Sequence, residues 1–264
     1  MGKTIQLTGG RVYYDEQGSG APVLLIHGGA VDGRFFDQIV PTLAENLRVI
    51  RIDLWGHGRS PDRDGPFTLD SFAADTAELI DRVAAGRAHV VGHSIGAVVA
   101  LTLALRFPDR VDRLVLASGG FDSSGERIDD IDAAVTGTVA FLGAEYAAVS
   151  PDGEAHFAVV TRKDFELSNR EPRLTEADLA GVRSRTLVLL ADDDLGSIEH
   201  NLAMYRALPE AELAIVPGTS HFFLQEKPAL SATIIRSFLA DDAVPTIAPI
   251  RRAPAAATTT PEHH

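Results

Sequence analysis

The chain has 264 residues, with 24 basic against 37 acidic side chains and a formal net charge of −13. That length suits one large α/β domain or one with an insertion. The acidic balance argues against nucleic acid or an anionic membrane as partner. With no cysteine in the chain, disulfides, thiolate chemistry and cysteine-based metal sites are excluded, and a cytoplasmic protein is expected. Met1-Gly2-Lys3-Thr4-Ile5 lacks the apolar core of a signal peptide, and no segment approaches membrane-spanning length.

Residues 4–7 and 11–14 flank Gly9-Gly10 and predict a β-hairpin. Val23-Leu24-Leu25-Ile26 is a continuous apolar run, as expected of a strand buried on both faces, and it ends at His27-Gly28-Gly29. Phe35 to Leu43 reads as helical. Val49 to Ile52 reads as a strand ending at Asp53, followed by a loop punctuated by Gly56 and Gly58. Leu69, Phe72, Ala73, Thr76, Leu79, Ile80 and Val83 recur at helical spacing.

Next, Val90-Val91 leads into Gly92-His93-Ser94-Ile95-Gly96. The pentad predicts a nucleophile elbow, a tight strand-to-helix turn with a serine at its tip. Glycines at 92 and 96 leave room for the sharp fold, and the helix that follows aims free N–H groups at the serine. Its face of Ala97, Ala100, Leu101 and Ala104 lets it lie close to a sheet. Arg113 to Ala117 predicts a further strand.

From Phe121 to Val182 the strand rhythm breaks. Helices are predicted near 128–148 and 152–166, the second started by Ser150-Pro151, and Thr175 to Asp178 has the pattern of a helix cap. This stretch, 121–182, is expected to form a small helical lid over the strand ends. Core segments lie on either side, at 1–120 and 183–240. Thr186 to Leu190 resumes the buried-strand pattern and runs into Asp192-Asp193-Asp194. A helix over 199–207, a strand over Leu213 to Val216, a turn over Pro217 to His221 and a helix from Pro228 complete the pattern. Residues 241–264 read as a flexible tail, its terminal histidines compatible with a tag remnant. Strands alternating with helices predict an α/β fold, a mostly parallel central sheet covered on both faces, with ligands at the carboxyl ends of its strands.

A serine hydroxyl needs a base to become a nucleophile, and a histidine base needs a carboxylate to hold its tautomer. In an elbow architecture these follow in the order serine, acid, histidine. Here the order reads Ser94, the aspartates at 192–194, and His221. His27 and His93 read as packed scaffold, His57 as packed beside the elbow, and Trp55 as core. No metal site built from the histidines is expected.

Taken together, His27-Gly28-Gly29, the Asp53 to Ser60 loop, the elbow, the acidic turn and Gly218-x-x-His221-Phe222 resemble the α/β-hydrolase family over essentially residues 4–240. The resemblance implies a serine hydrolase with catalytic Ser94, Asp194 and His221. It also implies an oxyanion hole formed by the backbone N–H groups of Gly29 and Ile95. The family turn reads Gly-x-x-Asp, and aligning Ala191 with its glycine selects Asp194. Asp193 and Asp122 remain alternative acids. Phe141, Tyr146, His156, Phe157 and Phe165 are candidates for lining an acyl pocket, with His200 also at its border. The expected activity is cofactor-free cleavage of a small carboxylic ester or lactone. The same machinery serves perhydrolysis, carbon–carbon or thioester hydrolysis, acyl transfer, or ligand binding without turnover.

Overall fold

A computed structural model of the protein describes residues 2–123, 128–240, 242 and 247. The tail expected over 241–264 therefore lies, but for two positions, outside the described residues. The opening hairpin joins β1 (Lys3–Leu7) to β2 (Gly10–Gln17). β3 (Ala21–Ile26) follows, then a single 3-10 turn at Gly33–Phe36 and a short α1 (Val40–Leu43). The one helix expected over Phe35–Leu43 is thus two pieces. Pro41 has no N–H to continue a helix from upstream, and it is tolerated only in a first turn.

β4 (Leu47–Asp53), α2 (Leu69–Val83), β5 (Ala88–His93), α3 (Ile95–Arg106) and β6 (Val111–Ala117) follow the predicted alternation. Between β6 and the next strand lie α4 (Ile131–Ala147), α5 (Phe157–Arg170) and α6 (Glu176–Leu179). The helix expected from residue 152 begins later, because Gly153 sits at φ +81°, outside the helical region. The Thr175–Asp178 cap forms as a reciprocal capping box. The chain closes with β7 (Arg185–Asp193), α7 (Ile198–Ala207), β8 (Ala211–Ser220), α8 (Phe223–Glu226) and α9 (Pro228–Ala240).

The strands form one eight-stranded sheet in the order β1-β2-β4-β3-β5-β6-β7-β8. Only the pairs β1–β2 and β2–β4 are antiparallel. Side chains alternate across a strand, and the two faces accordingly feed two cores. Leu24, Ile26, Val90, Leu114, Leu116, Val188 and Leu190 pack with α2 and α3. Val23, Leu25, Val91, Val115, Leu187 and Leu189 pack with α1 and α9. Covering both faces explains why these strands read as unbroken apolar runs rather than alternating ones. It also leaves the carboxyl ends of the parallel strands as the place where loops converge.

Candidate active site

Ser94 stands alone between the last residue of β5 and the first of α3, with φ 55° and ψ −125°. A non-glycine residue is costly there and persists only because its surroundings hold it. Its N–H donates to the Ala117 carbonyl of the neighbouring strand (2.9 Å), and its own carbonyl accepts from Ala97 N–H (2.9 Å). The flanking glycines are steric necessities. A Cβ on Gly92 would lie 2.1 Å from the Gly96 carbonyl oxygen, and one on Gly96 would lie 2.2 Å from that of Ile26.

His221 follows β8 directly, and its Nδ1 lies 2.7 Å from Asp194 Oδ1. The second carboxylate oxygen of Asp194 accepts from the Ser118 hydroxyl and from Ala191 N–H (3.2 Å). Burial pushes the Asp194 carboxyl up, but the hydrogen bonds from His221 and Ser118 outweigh it and leave its pKa below the ordinary value. The three consecutive aspartates have separate surroundings. Asp192 accepts from Gly218 N–H (2.8 Å) and Thr219 N–H (3.0 Å), which ties down the chain just before His221. Asp193 is exposed and pairs in register with Ser220. The turn expected over Pro217 to His221 is in fact a continuation of β8 to Ser220, made possible by a register shift between Ala191 and Asp193. Asp122, the other alternative acid, bridges to Arg173, with its carboxylate 3.6 Å from that guanidinium.

Two further contacts fix His221. Glu226 accepts from both the N–H and the hydroxyl of Ser220 at 2.7 Å. His93, in the elbow itself, has its Nε2 2.8 Å from the His221 carbonyl oxygen. A carbonyl only accepts, so this nitrogen carries the hydrogen. Burial, then the neighbouring imidazole of His221, holds His93 down to about 3, so it is neutral at ordinary pH. His27 is also neutral. Its Nδ1–H donates to the Gly28 carbonyl (2.7 Å) while its Nε2 accepts from Leu54 N–H (2.9 Å), and burial, then the charge of His57, lowers it to about 3.

Gly28 and Gly29 bring the loop after β3 against the elbow. A Cβ on Gly28 would lie 2.9 Å from Ser94 Cβ, and one on Gly29 would lie 2.7 Å from Ile95 Cδ1. Ile95 is the first residue of α3, so its N–H has no acceptor within the helix.

These groups share a cavity of about 630 Å³ whose lining includes Gly29, Ser94, Ile95, Asp194 and His221. Phe141, Phe165 and His200 line it from the helices around it. Tyr146, Phe157 and His156 do not belong to that lining. The rings of Tyr146 and Phe157 stack on each other (4.5 Å) and fill the space between α4 and α5, both buried. His156 turns to Asp62 instead, 2.8 Å away. Spacing along a helix names a face but not which neighbour that face meets. Several residues that hold the site, namely His57, Ser118, Asp164 and Glu226, drew no functional reading from the sequence. Each is a single polar side chain whose partner lies on another element.

Among the described residues no group of three or more histidine, aspartate and glutamate side chains has the geometry to hold a metal ion. No described helix is long and apolar enough to cross a membrane.

Known proteins bear on this arrangement in three ways. A family model described as alpha/beta hydrolase fold matches residues 21–170. A candidate carbamate hydrolase, RutD, of Azorhizobium caulinodans is 28% identical over 249 residues, covering 86% of this chain and 94% of that one. The 2-hydroxy-6-oxo-2,4-heptadienoate hydrolase of Pseudomonas putida is 26% identical, covering 91% and 96% respectively. A hydrolase structure from Pseudomonas aeruginosa superposes with a TM-score of 0.74 at 25% identity, covering 91% of this chain and 98% of its own. These relatives support hydrolysis as the class of reaction. With more than half of its length matched by one family model, and an elbow, a doubly covered sheet and a strand order that agree with it, the chain belongs to the α/β hydrolase fold family.

Proposed function

We propose that the protein is a cofactor-free serine hydrolase that cleaves a small carboxylic ester or lactone through an acyl-enzyme on Ser94. The observation that carries the reading is the 2.7 Å contact between His221 and Asp194 in the cavity that Ser94 also lines. A carboxylate accepts, so Nδ1 of His221 carries the hydrogen and Nε2 is left as the basic nitrogen. Nε2 takes the proton of Ser94 as its oxygen attacks the substrate carbonyl. Asp194, held ionised by its own hydrogen bonds, stabilises the imidazolium that results.

The N–H groups of Gly29 and Ile95 stabilise the oxyanion of the tetrahedral intermediate. His221 then protonates the departing alcohol, and water attacks the acyl-enzyme with His221 again as base. The helical segment between β6 and β7 acts as a lid, in which Phe141 and Phe165 offer an apolar wall to the acyl group. The mixed apolar and polar lining suits a small neutral acyl substrate.

Fluorophosphonate labelling combined with p-nitrophenyl esters of increasing acyl length tests the reading. Stoichiometric labelling is expected in the wild type and not in Ser94→Ala, whose turnover falls by roughly a million-fold. A folded wild type that neither labels nor turns over any ester overturns it in favour of ligand binding.

A further inference from the structure

Two peptide groups flank Gly29, and different parts of the chain anchor them. The one before it presents the Gly28 carbonyl, which accepts from His27 Nδ1–H at 2.7 Å. A trans peptide is planar, so fixing that oxygen also sets the direction of Gly29 N–H on its opposite side. The one after it presents Ala30 N–H, which donates to Asp164 Oδ2 at 2.9 Å. Asp164 lies on α5, 134 residues further along the chain, with its side chain only 3% exposed. Ala30 itself sits at φ +60°, a left-handed conformation that an alanine keeps only where something external holds it.

An unpaired carboxylate beside a developing oxyanion would oppose catalysis. His57 removes that conflict. Its Nδ1 lies 2.8 Å from the Trp55 carbonyl oxygen and its Nε2 lies 3.0 Å from Asp164 Oδ2. The Trp55 carbonyl only accepts, so Nδ1 carries a hydrogen, and the carboxylate facing Nε2 favours the protonated ring. Burial works against that charge, but the carboxylate of Asp164 facing the ring outweighs it and raises the pKa of His57. The adjacent imidazole of His27, 5.1 Å away, takes the complementary neutral state. The other oxygen of Asp164 is buried without a partner, and a Cβ on Gly29 would lie 3.1 Å from the carboxylate.

We propose that Asp164, paired with His57, is a positioning residue of the oxyanion hole: from α5 it fixes the Gly29–Ala30 peptide, the second anchor of the residue whose N–H His27 orients through the Gly28 carbonyl, and so holds Gly29 in place before the substrate carbonyl oxygen. The inference rests on the assignment of Gly29 N–H to the hole. It makes the hole dependent on α5 being docked, so that closing the helical segment over the strand ends and assembling the electrophilic pocket are one event.

The test compares p-nitrophenyl acetate with its thiono counterpart in the wild type, Asp164→Ala and Asp164→Asn. Sulfur is a weaker hydrogen-bond acceptor than oxygen, so a working hole favours the oxo ester, and loss of the hole shrinks that preference. A merely structural role slows both esters alike. Asp164→Ala is expected to lower kcat on the oxo ester by about tenfold or more, short of the roughly hundred- to thousand-fold that losing an oxyanion donor outright costs. KM should stay within about threefold, and the oxo-to-thiono ratio should fall several-fold. Asp164→Asn keeps an acceptor for Ala30 N–H but loses the charge that holds His57, so its ratio falls less, by about twofold. Thermal melts certify folding, and Asp164→Asn, the same size and shape, decides alone if the alanine variant does not fold. A folded variant with the wild-type ratio, however slow, overturns the proposal. A wild type with Ser94-dependent turnover but no oxo preference overturns the Gly29 assignment first, and this inference with it, so the two failures have different signatures.

Discussion

The imidazole of His221 and the carboxylate of Asp194 meet at 2.7 Å although they extend from the ends of two different strands, β8 and β7. The contact depends on the register shift between Ala191 and Asp193, which lets Ser220 pair with Asp193 and carries His221 past the strand end. Asp192 and Glu226 then hold the chain just ahead of the ring's attachment point, at Gly218, Thr219 and Ser220.

If Asp194 serves His221, replacing it by asparagine leaves the shape but loses the charge and favours the wrong tautomer. Asp194→Asn is expected to lower kcat by up to roughly ten-thousand-fold. Asp193→Asn and Asp122→Asn should stay within about threefold, the scale of an ordinary surface change. Steady-state kinetics on one ester ranks the three, and a silent Asp194→Asn would contradict the assignment.

Asp192 is exposed, yet it accepts from two backbone N–H groups just ahead of His221. Asp192→Ala should therefore disturb the placement of His221 more than the fold. A loss of about three- to tenfold in kcat is expected, with the urea midpoint little changed. Kinetics and urea denaturation of the same sample separate the two effects.

Two glycine-to-alanine changes should have opposite signs. At Gly96 the new Cβ would lie 2.2 and 2.4 Å from the carbonyl oxygens of Ile26 and His27, and backbone cannot give way cheaply. Gly96→Ala is expected to cost about 3 kcal/mol. Gly137 lies inside α4 with nothing within 4 Å of such a Cβ, so Gly137→Ala should add about 0.5–1 kcal/mol through helix propensity alone. Urea midpoints read both.

Asp75, packed beside Trp55 and the first hairpin, is buried, and its Oδ2 accepts no hydrogen bond, with Arg63 Nη1 3.9 Å away. Burial, only partly offset by Arg63 and Gly9, raises it from 3.8 to about 6. Because the folded state holds this proton to higher pH than the unfolded chain does, the fold loses stability as pH rises from about 4 to about 6, then levels off. Asp75→Asn should gain about 1 kcal/mol at neutral pH and nothing below about pH 4, as thermal melts across that range will show.

Much of this protein is written locally. Continuous apolar runs such as Val23 to Ile26 mark strands covered on both faces, and period 3.6 marks α2, because burial acts on each residue through its own segment's geometry. The elbow is equally local, since the clash of a Cβ at Gly92 with the Gly96 carbonyl is set within five residues. The short piece α1 and the late start of α5 were less legible, because Pro41 and Gly153 each override a periodic pattern at one position.

What the sequence by itself determined is therefore the alternation of strands and helices, the position of the serine at a strand end, and the order in which an acid and a histidine follow it. Tertiary structure alone decided which of three adjacent aspartates meets His221, that Phe141 and not Phe157 reaches the cavity, and that Asp164 reaches back to His57 and Ala30. The reason is physical. Periodicity assigns a side chain to a face, whereas its partner depends on strand order, register and the docking of elements from 27 to 134 residues away.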